Sequence, residues 1–87
     1  MEKKEIQNLV VSEIRKVKKN LPESIPPEAH LMNEIGFDSV DMAELVARAE
    51  QSFKIEIPDS IWKQLVTINI ITDYIFEQVK NRTSFKN

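Results

Sequence analysis

Asp38-Ser39-Val40-Asp41 is the densest polar cluster in the chain, a hydroxyl with a carboxylate on either side. A serine hydrolase would need a base within hydrogen-bond reach of that hydroxyl. The single histidine, His30, lies instead in a proline-rich loop, and Gly36-Phe37-Asp38-Ser39-Val40 is not the Gly-x-Ser-x-Gly elbow. A capped helix start suits the same residues well, since Asp and Ser accept hydrogen bonds from free N–H groups and an acid in the first turn favours the dipole. Other chemistries are poorly supplied. His30 has no partners for a metal site, one glycine cannot form a phosphate-cradling loop, and no cysteine is present for thiolate catalysis, disulfides or metal ligation.

The elements that must position Ser39 are read from periodicity. With one glycine and four prolines in 87 residues, the chain lacks the turn punctuation of a β protein. Ile6, Leu9, Val10, Ile14, Val17 and Leu21 draw a helical stripe, with Lys16, Lys18 and Lys19 placed to complement its C-terminal dipole. Pro22, Pro26 and Pro27 then break the helix and predict a loop packed through Leu31, Met32 and Ile35, which turns at Gly36. A second helix starts at Asp38 or Ser39. Its core stripe is Met42, Leu45, Val46, Ala49 and Phe53, and Val40, Ala43 and Ala47 form a separate strip of small apolar residues beside Ser39. An extended link through Pro58, a short helix over 60–65 and a last helix capped by Thr67 or Asn69 and carrying Ile71, Tyr74, Ile75 and Val79 complete the pattern. The expected fold is all-α: a small four-helix bundle of three longer helices and one short third helix, a single domain over 1–81 with a flexible C-terminal tail over 82–87.

Composition bounds the function. A 10.1 kDa chain that is 41% hydrophobic and 30% charged should fold around one modest core. Its net charge of −2 argues against a nucleic-acid binder, and the sequence has no apolar run of membrane-spanning length and no signal-peptide core. A cytoplasmic monomer is expected. The small net charge hides a gradient: residues 1–21 carry six basic and three acidic side chains, residues 22–60 two and nine, and residues 61–87 four and two. The acidic middle contains Ser39.

Ile35-Gly36-Phe37-Asp38-Ser39-Val40-Asp41, followed by Glu44-Leu45, Phe53, Ile57-Pro58-Asp59 and Thr67 to Ile75, resembles the acyl carrier protein family in residue type, order and spacing. The likeness runs from about Ile6 to Val79. It implies a non-enzymatic carrier in which Ser39 bears 4′-phosphopantetheine, transferred from coenzyme A by a phosphopantetheinyl transferase, with Asp38 helping to present the serine. Acyl intermediates would ride on that arm as thioesters. Ser39 would need no base of its own, because the transferase and its metal can supply activation, and no cysteine, because the thiol belongs to the arm.

The resemblance further implies that helix two docks basic patches on acyl-loading and acyl-transferring enzymes, with Asp41, Glu44 and Glu50 supplying charge and Val40, Ala43 and Ala47 shallow apolar contact. Brief contacts suit a carrier that must leave each enzyme. The chain departs from the strongly acidic fatty-acid-synthesis pattern at Arg48, Gln51, Ser52, Lys54, Trp62 and Lys63. A specialised lipid or polyketide-like pathway is therefore expected, with a peptidyl or D-alanyl carrier loaded by an adenylation enzyme as the alternative. An unmodified helical interaction module, with Asp38-Ser39 only a cap, is the second alternative. The core between helices two, three and four is expected to have room for an acyl chain near Ala43, Ala47 and Ala49.

Overall fold

A computed structural model describes the backbone of residues 1–86 and the side chains of residues 1–81. Among these, every regular element is helical: α1 (Lys3–Val17), a π-helical turn (Leu31–Ile35), α2 (Ser39–Phe53), the short α3 (Asp59–Trp62) and α4 (Ile68–Lys86). The all-α bundle expected from the periodicity is what forms. Helical backbone continues to Lys86, and the expectation of a flexible tail over 82–87 concerns side chains outside the described residues.

Helix α1 packs against both α4 and α2. It opens on a capping box in which Glu2 and Glu5 exchange hydrogen bonds with each other's backbone, and it buries Ile6, Val10, Glu13 and Ile14. Leu9, assigned to the stripe by spacing, is 40% exposed, while Glu13 takes a core-facing position seven residues after Ile6. The helix also ends earlier than expected. Lys18 turns extended and Asn20 adopts a left-handed φ of 63° before Pro22, so Lys18 and Lys19 lie beyond the last turn rather than within it.

Ile6, Ile14, Leu31 and Ile75 are completely buried, with Ile68 and Val10 nearly so. Each such side chain contributes about 1.5–3 kcal/mol, against about 0–1 kcal/mol for an exposed ion pair such as Lys3–Asp73. The apolar core holds the fold.

The long proline loop is tied down by its backbone. Leu31 N–H donates to the Val66 carbonyl at 2.8 Å, and Asn69 N–H to the Pro27 carbonyl at 3.0 Å, so the π-turn is fastened to the link between α3 and α4. His30 caps the π-turn by accepting the Asn33 N–H at Nδ1, and Gly36 ends it at φ 100°, with Phe37 N–H returning to the Leu31 carbonyl. The short third helix occupies Asp59–Trp62, earlier and shorter than the 60–65 expected, because the following N–H groups of Gln64 and Leu65 bond back three residues, to Ile61 and Trp62, in tighter turns; the Trp62 indole N–H donates to the Ile57 carbonyl at 3.1 Å. Thr67 Oγ1 accepts the Ile70 N–H and begins α4.

Candidate functional site

Ser39 is the first residue of α2 and its side chain is exposed. Of the two residues able to cap, Asp38 does so: its Oδ1 accepts the Asp41 N–H at 2.8 Å, while Asp41 Oδ2 accepts the Asp38 N–H at 3.1 Å. This reciprocal box satisfies two otherwise free backbone donors and fixes the turn on which Ser39 sits. The amide of Asp38, followed by the Lys18 ammonium at 3.2 Å, holds the Asp41 carboxyl below its ordinary value of 3.8. With both carboxylates engaged in the cap, the Ser39 hydroxyl has no hydrogen-bond partner among the described residues. No base is arranged to activate it from within, and His30 has committed its Nδ1 lone pair to the π-turn.

Ser39 opens onto a groove of about 390 Å³ lined also by His30, Met32, Met42, Trp62, Lys63 and Val66. The Leu31-to-Val66 hydrogen bond joins the two walls, and the anchored indole of Trp62 stiffens one of them. A second hollow lies inside the bundle, lined by Met42, Leu45, Val46, Ala49, Ile57, Leu65 and Ile71. Its volume is about 10 Å³. That is no more than the roughly 10–15 Å³ a single water needs by the same measure. The room for an acyl chain expected beside three alanines is therefore not open in this structure: Ala49 lines only this slot, Ala43 is half-buried, Ala47 is exposed and neither of those two lines it.

The remaining residues expected on the docking face sit along α2. Val40 is 72% exposed and leads the strip formed with Ala43 and Ala47. The acids are less free than their spacing suggested. Asp41 pairs with Lys18, Glu44 with Arg48 Nε at 3.2 Å, and Glu50 Oε2 accepts the Ile57 N–H at 2.8 Å.

Sequence reasoning missed two contributors. Glu13 is 7% exposed and receives Lys16, Arg48 and the Ser52 hydroxyl, which joins α1 to α2 directly behind Glu44. The signal was its place in the register of Ile6, Val10 and Ile14, where a carboxylate needs partners. The other is His30, a groove wall whose helix-capping role had no motif to reveal it. Among the described residues no cluster of His, Cys, Asp and Glu is arranged to hold a metal, and no helix is long and apolar enough to cross a membrane.

An exposed serine at a capped helix start, without a catalytic partner and beside an open groove, fits a hydroxyl that receives a group from another enzyme. That is the class of protein the fold and site define: a carrier domain. Residues 6–75 match the family model for the phosphopantetheine attachment site. The chain is 32% identical over 75 residues to the mitochondrial acyl carrier protein 2 of Arabidopsis thaliana, covering 86% of this chain and 60% of that protein. It is also 32% identical to the acyl carrier proteins of Campylobacter fetus, over 82% of this chain and 87% of the relative, and of Campylobacter hominis, over 90% and 94%. The chain belongs to the acyl carrier protein family. Its members are carriers rather than catalysts, and 4′-phosphopantetheine is their covalent cofactor.

The residues present fit that group. The Ser39 hydroxyl is exposed and unengaged, the α2 N-terminus offers backbone N–H groups that favour an anion, and the groove gives a flexible arm apolar surface at Met32 and Trp62. When bound, the group supplies the thiol on which an acyl thioester is made.

Proposed function

We propose that Ser39 is the attachment residue, and that this chain carries acyl groups for a specialised lipid or polyketide-like pathway. The observation that carries the first part is the exposed, unpartnered hydroxyl at the first position of α2, on the rim of the 390 Å³ groove. In the transfer from coenzyme A, the Ser39 oxygen forms a bond to phosphorus as the pyrophosphate bond breaks. The nucleotide half leaves and the hydroxyl proton passes to the transferase. Asp38 keeps the serine turned outward by capping α2 beside it. The partners are a phosphopantetheinyl transferase and enzymes that load and remove the acyl group, meeting the carrier as a monomer at the Val40 end of α2. A cytoplasmic setting is part of this reading and rests on composition; the relatives include mitochondrial as well as bacterial carriers.

The specialised pathway is supported by charge. Arg48 neutralises Glu44, and Lys63 stands on the groove that Ser39 opens into. Intact-mass measurement after incubation with coenzyme A and a broad-specificity transferase tests the attachment: one phosphopantetheine should be gained by the wild type and none by a folded Ser39→Ala variant. An unchanged wild-type mass would overturn it. Identifying what the arm carries in cells then tests the pathway; amino acids in place of acyl groups would favour the aminoacyl alternative.

A further inference from the structure

Three acids of α2 were expected to attract basic enzymes, and two of them, Asp41 and Glu44, are paired with cations of the chain. The Lys18 ammonium sits 3.2 Å from Asp41 Oδ2. Arg48 bridges outward to Glu44 at 3.2 Å and inward to Glu13 at 3.6 Å, so the buried Glu13 holds the guanidinium in place against Glu44. Glu50 accepts the Ile57 N–H and Asp38 caps its own helix, which fixes both carboxylates in place without cancelling their charge. An ion pair is seen by a distant partner as a weak dipole, which steers an encounter far less than a free charge does.

Among the residues that line the groove with Ser39, the charged one has the opposite sign. Lys63 is exposed, lines the same groove as Ser39 and has no ion-pair partner among the described residues. Asp59 and Glu56 are also exposed, but neither lines that groove. Apolar surface lies on the same groove at Met32, 40% exposed, and at Trp62, and Val40, 72% exposed, follows Ser39 at the start of α2.

We propose that the surface around Ser39 docks its partner enzyme through an apolar patch over Val40, Met32 and Trp62, with an acidic rather than a basic side chain of that enzyme facing Lys63. Asp41 and Glu44 are taken up by Lys18 and Arg48, and Glu50 by the Ile57 N–H, and the apolar contact supplies the affinity. The proposal rests on Ser39 being the attachment residue, and its test separates the two.

The probes are a phosphopantetheinyl transferase with a basic docking patch and the same enzyme with those basic residues changed to Glu, each acting on the full chain with coenzyme A. With the acidic patch, kcat/KM for the wild type should equal or exceed that with the basic patch. Lys63→Glu should reverse the order, falling about tenfold with the acidic patch and rising with the basic one. With the basic patch, Glu44→Gln should cost about fivefold more in an Arg48→Ala background, where Glu44 is unmasked, than in the wild type. The docking proposal is overturned, with the attachment intact, if the wild type is modified but loses about tenfold or more on the acidic patch, or if Glu44→Gln costs the same in both backgrounds. Absence of any mass gain with either enzyme overturns the attachment and the docking together.

Discussion

Two hollows border α2, one on each side of Met42, and they differ about as far as two cavities in a small bundle can. The inner slot is lined only by apolar side chains and has collapsed to about 10 Å³; the outer groove has a serine, a histidine and a lysine on its walls and stands open at about 390 Å³. The difference follows from what closes each of them. Apolar side chains free to slide together eliminate empty space, because each void forfeits dispersion contacts. The groove walls cannot slide, since they are set by directional bonds: Leu31 to Val66, Trp62 to Ile57, and the αL end of the π-turn at Gly36. An arm attached at Ser39, as proposed, would therefore meet a ready surface outside the bundle, with Met42 standing between that surface and the core.

The largest effect should come from removing that wall. Met42 is 8% exposed and lines both hollows. Met42→Ala should cost about 2–4 kcal/mol in denaturant unfolding and join slot to groove. It should also increase binding of an apolar fluorescent probe. A loss under about 1 kcal/mol with unaltered probe binding would mean that neighbouring side chains close the gap and that the two hollows are not held apart by this residue.

The slot was more legible in the sequence than the groove. Met42, Leu45, Val46 and Ala49 announce themselves by helical spacing, and all four are buried as expected. The helix start at Asp38-Ser39 was equally readable, because capping is a local matter of residue type within three or four positions, although residue type does not choose which of the two caps. The groove was not. Its walls come from His30 and Met32, from Ser39 and Met42, and from Trp62 to Val66, and they are brought together by backbone bonds between segments that carry no shared period. The pairing of Asp41 was hidden for the same reason, since Lys18 is 23 residues away from it, whereas Glu44 and Arg48 stand four residues apart on α2 itself. Spacing along one helix shows which acids share a face, but not which cation from another segment has already claimed one of them.

A smaller effect is expected where the groove wall turns. Gly36 sits at φ 100°, and a Cβ built there would meet nothing within 4 Å, so the cost of Gly36→Ala is backbone strain without a clash. A loss of about 1–2 kcal/mol is expected. The strain falls on the π-turn, so Met32 should shift while the packing of Leu45 and Ile71 stays as it is. Two-dimensional NMR would show this as perturbations confined to the groove side; changes spread equally over both hollows would mean that they respond as one unit.

The smallest effect, and the sharpest test of the contrast, is acid. Asp41 is held below its ordinary value of 3.8, first by the Asp38 amide and then by Lys18, which means that its ionised form is favoured by folding. Its contribution is therefore complete above that ordinary value and is lost as pH falls through the depressed folded value. Asp41→Asn should cost about 1 kcal/mol near neutrality, and the gap between wild type and variant should narrow as pH drops below the usual carboxylate range. Protonation weakens the box that orients Ser39 and releases Lys18, while the slot has no titratable group on its walls. Amide protection, taken relative to the intrinsic exchange rate at each pH, should thus fall on acidification at Asp38 and Asp41, whose N–H groups form the box, before it does at Leu45 and Val46. If the two pairs lose protection together in the wild type, or in the same order in Asp41→Asn, the capping box is not what makes the groove rim the more responsive side of α2.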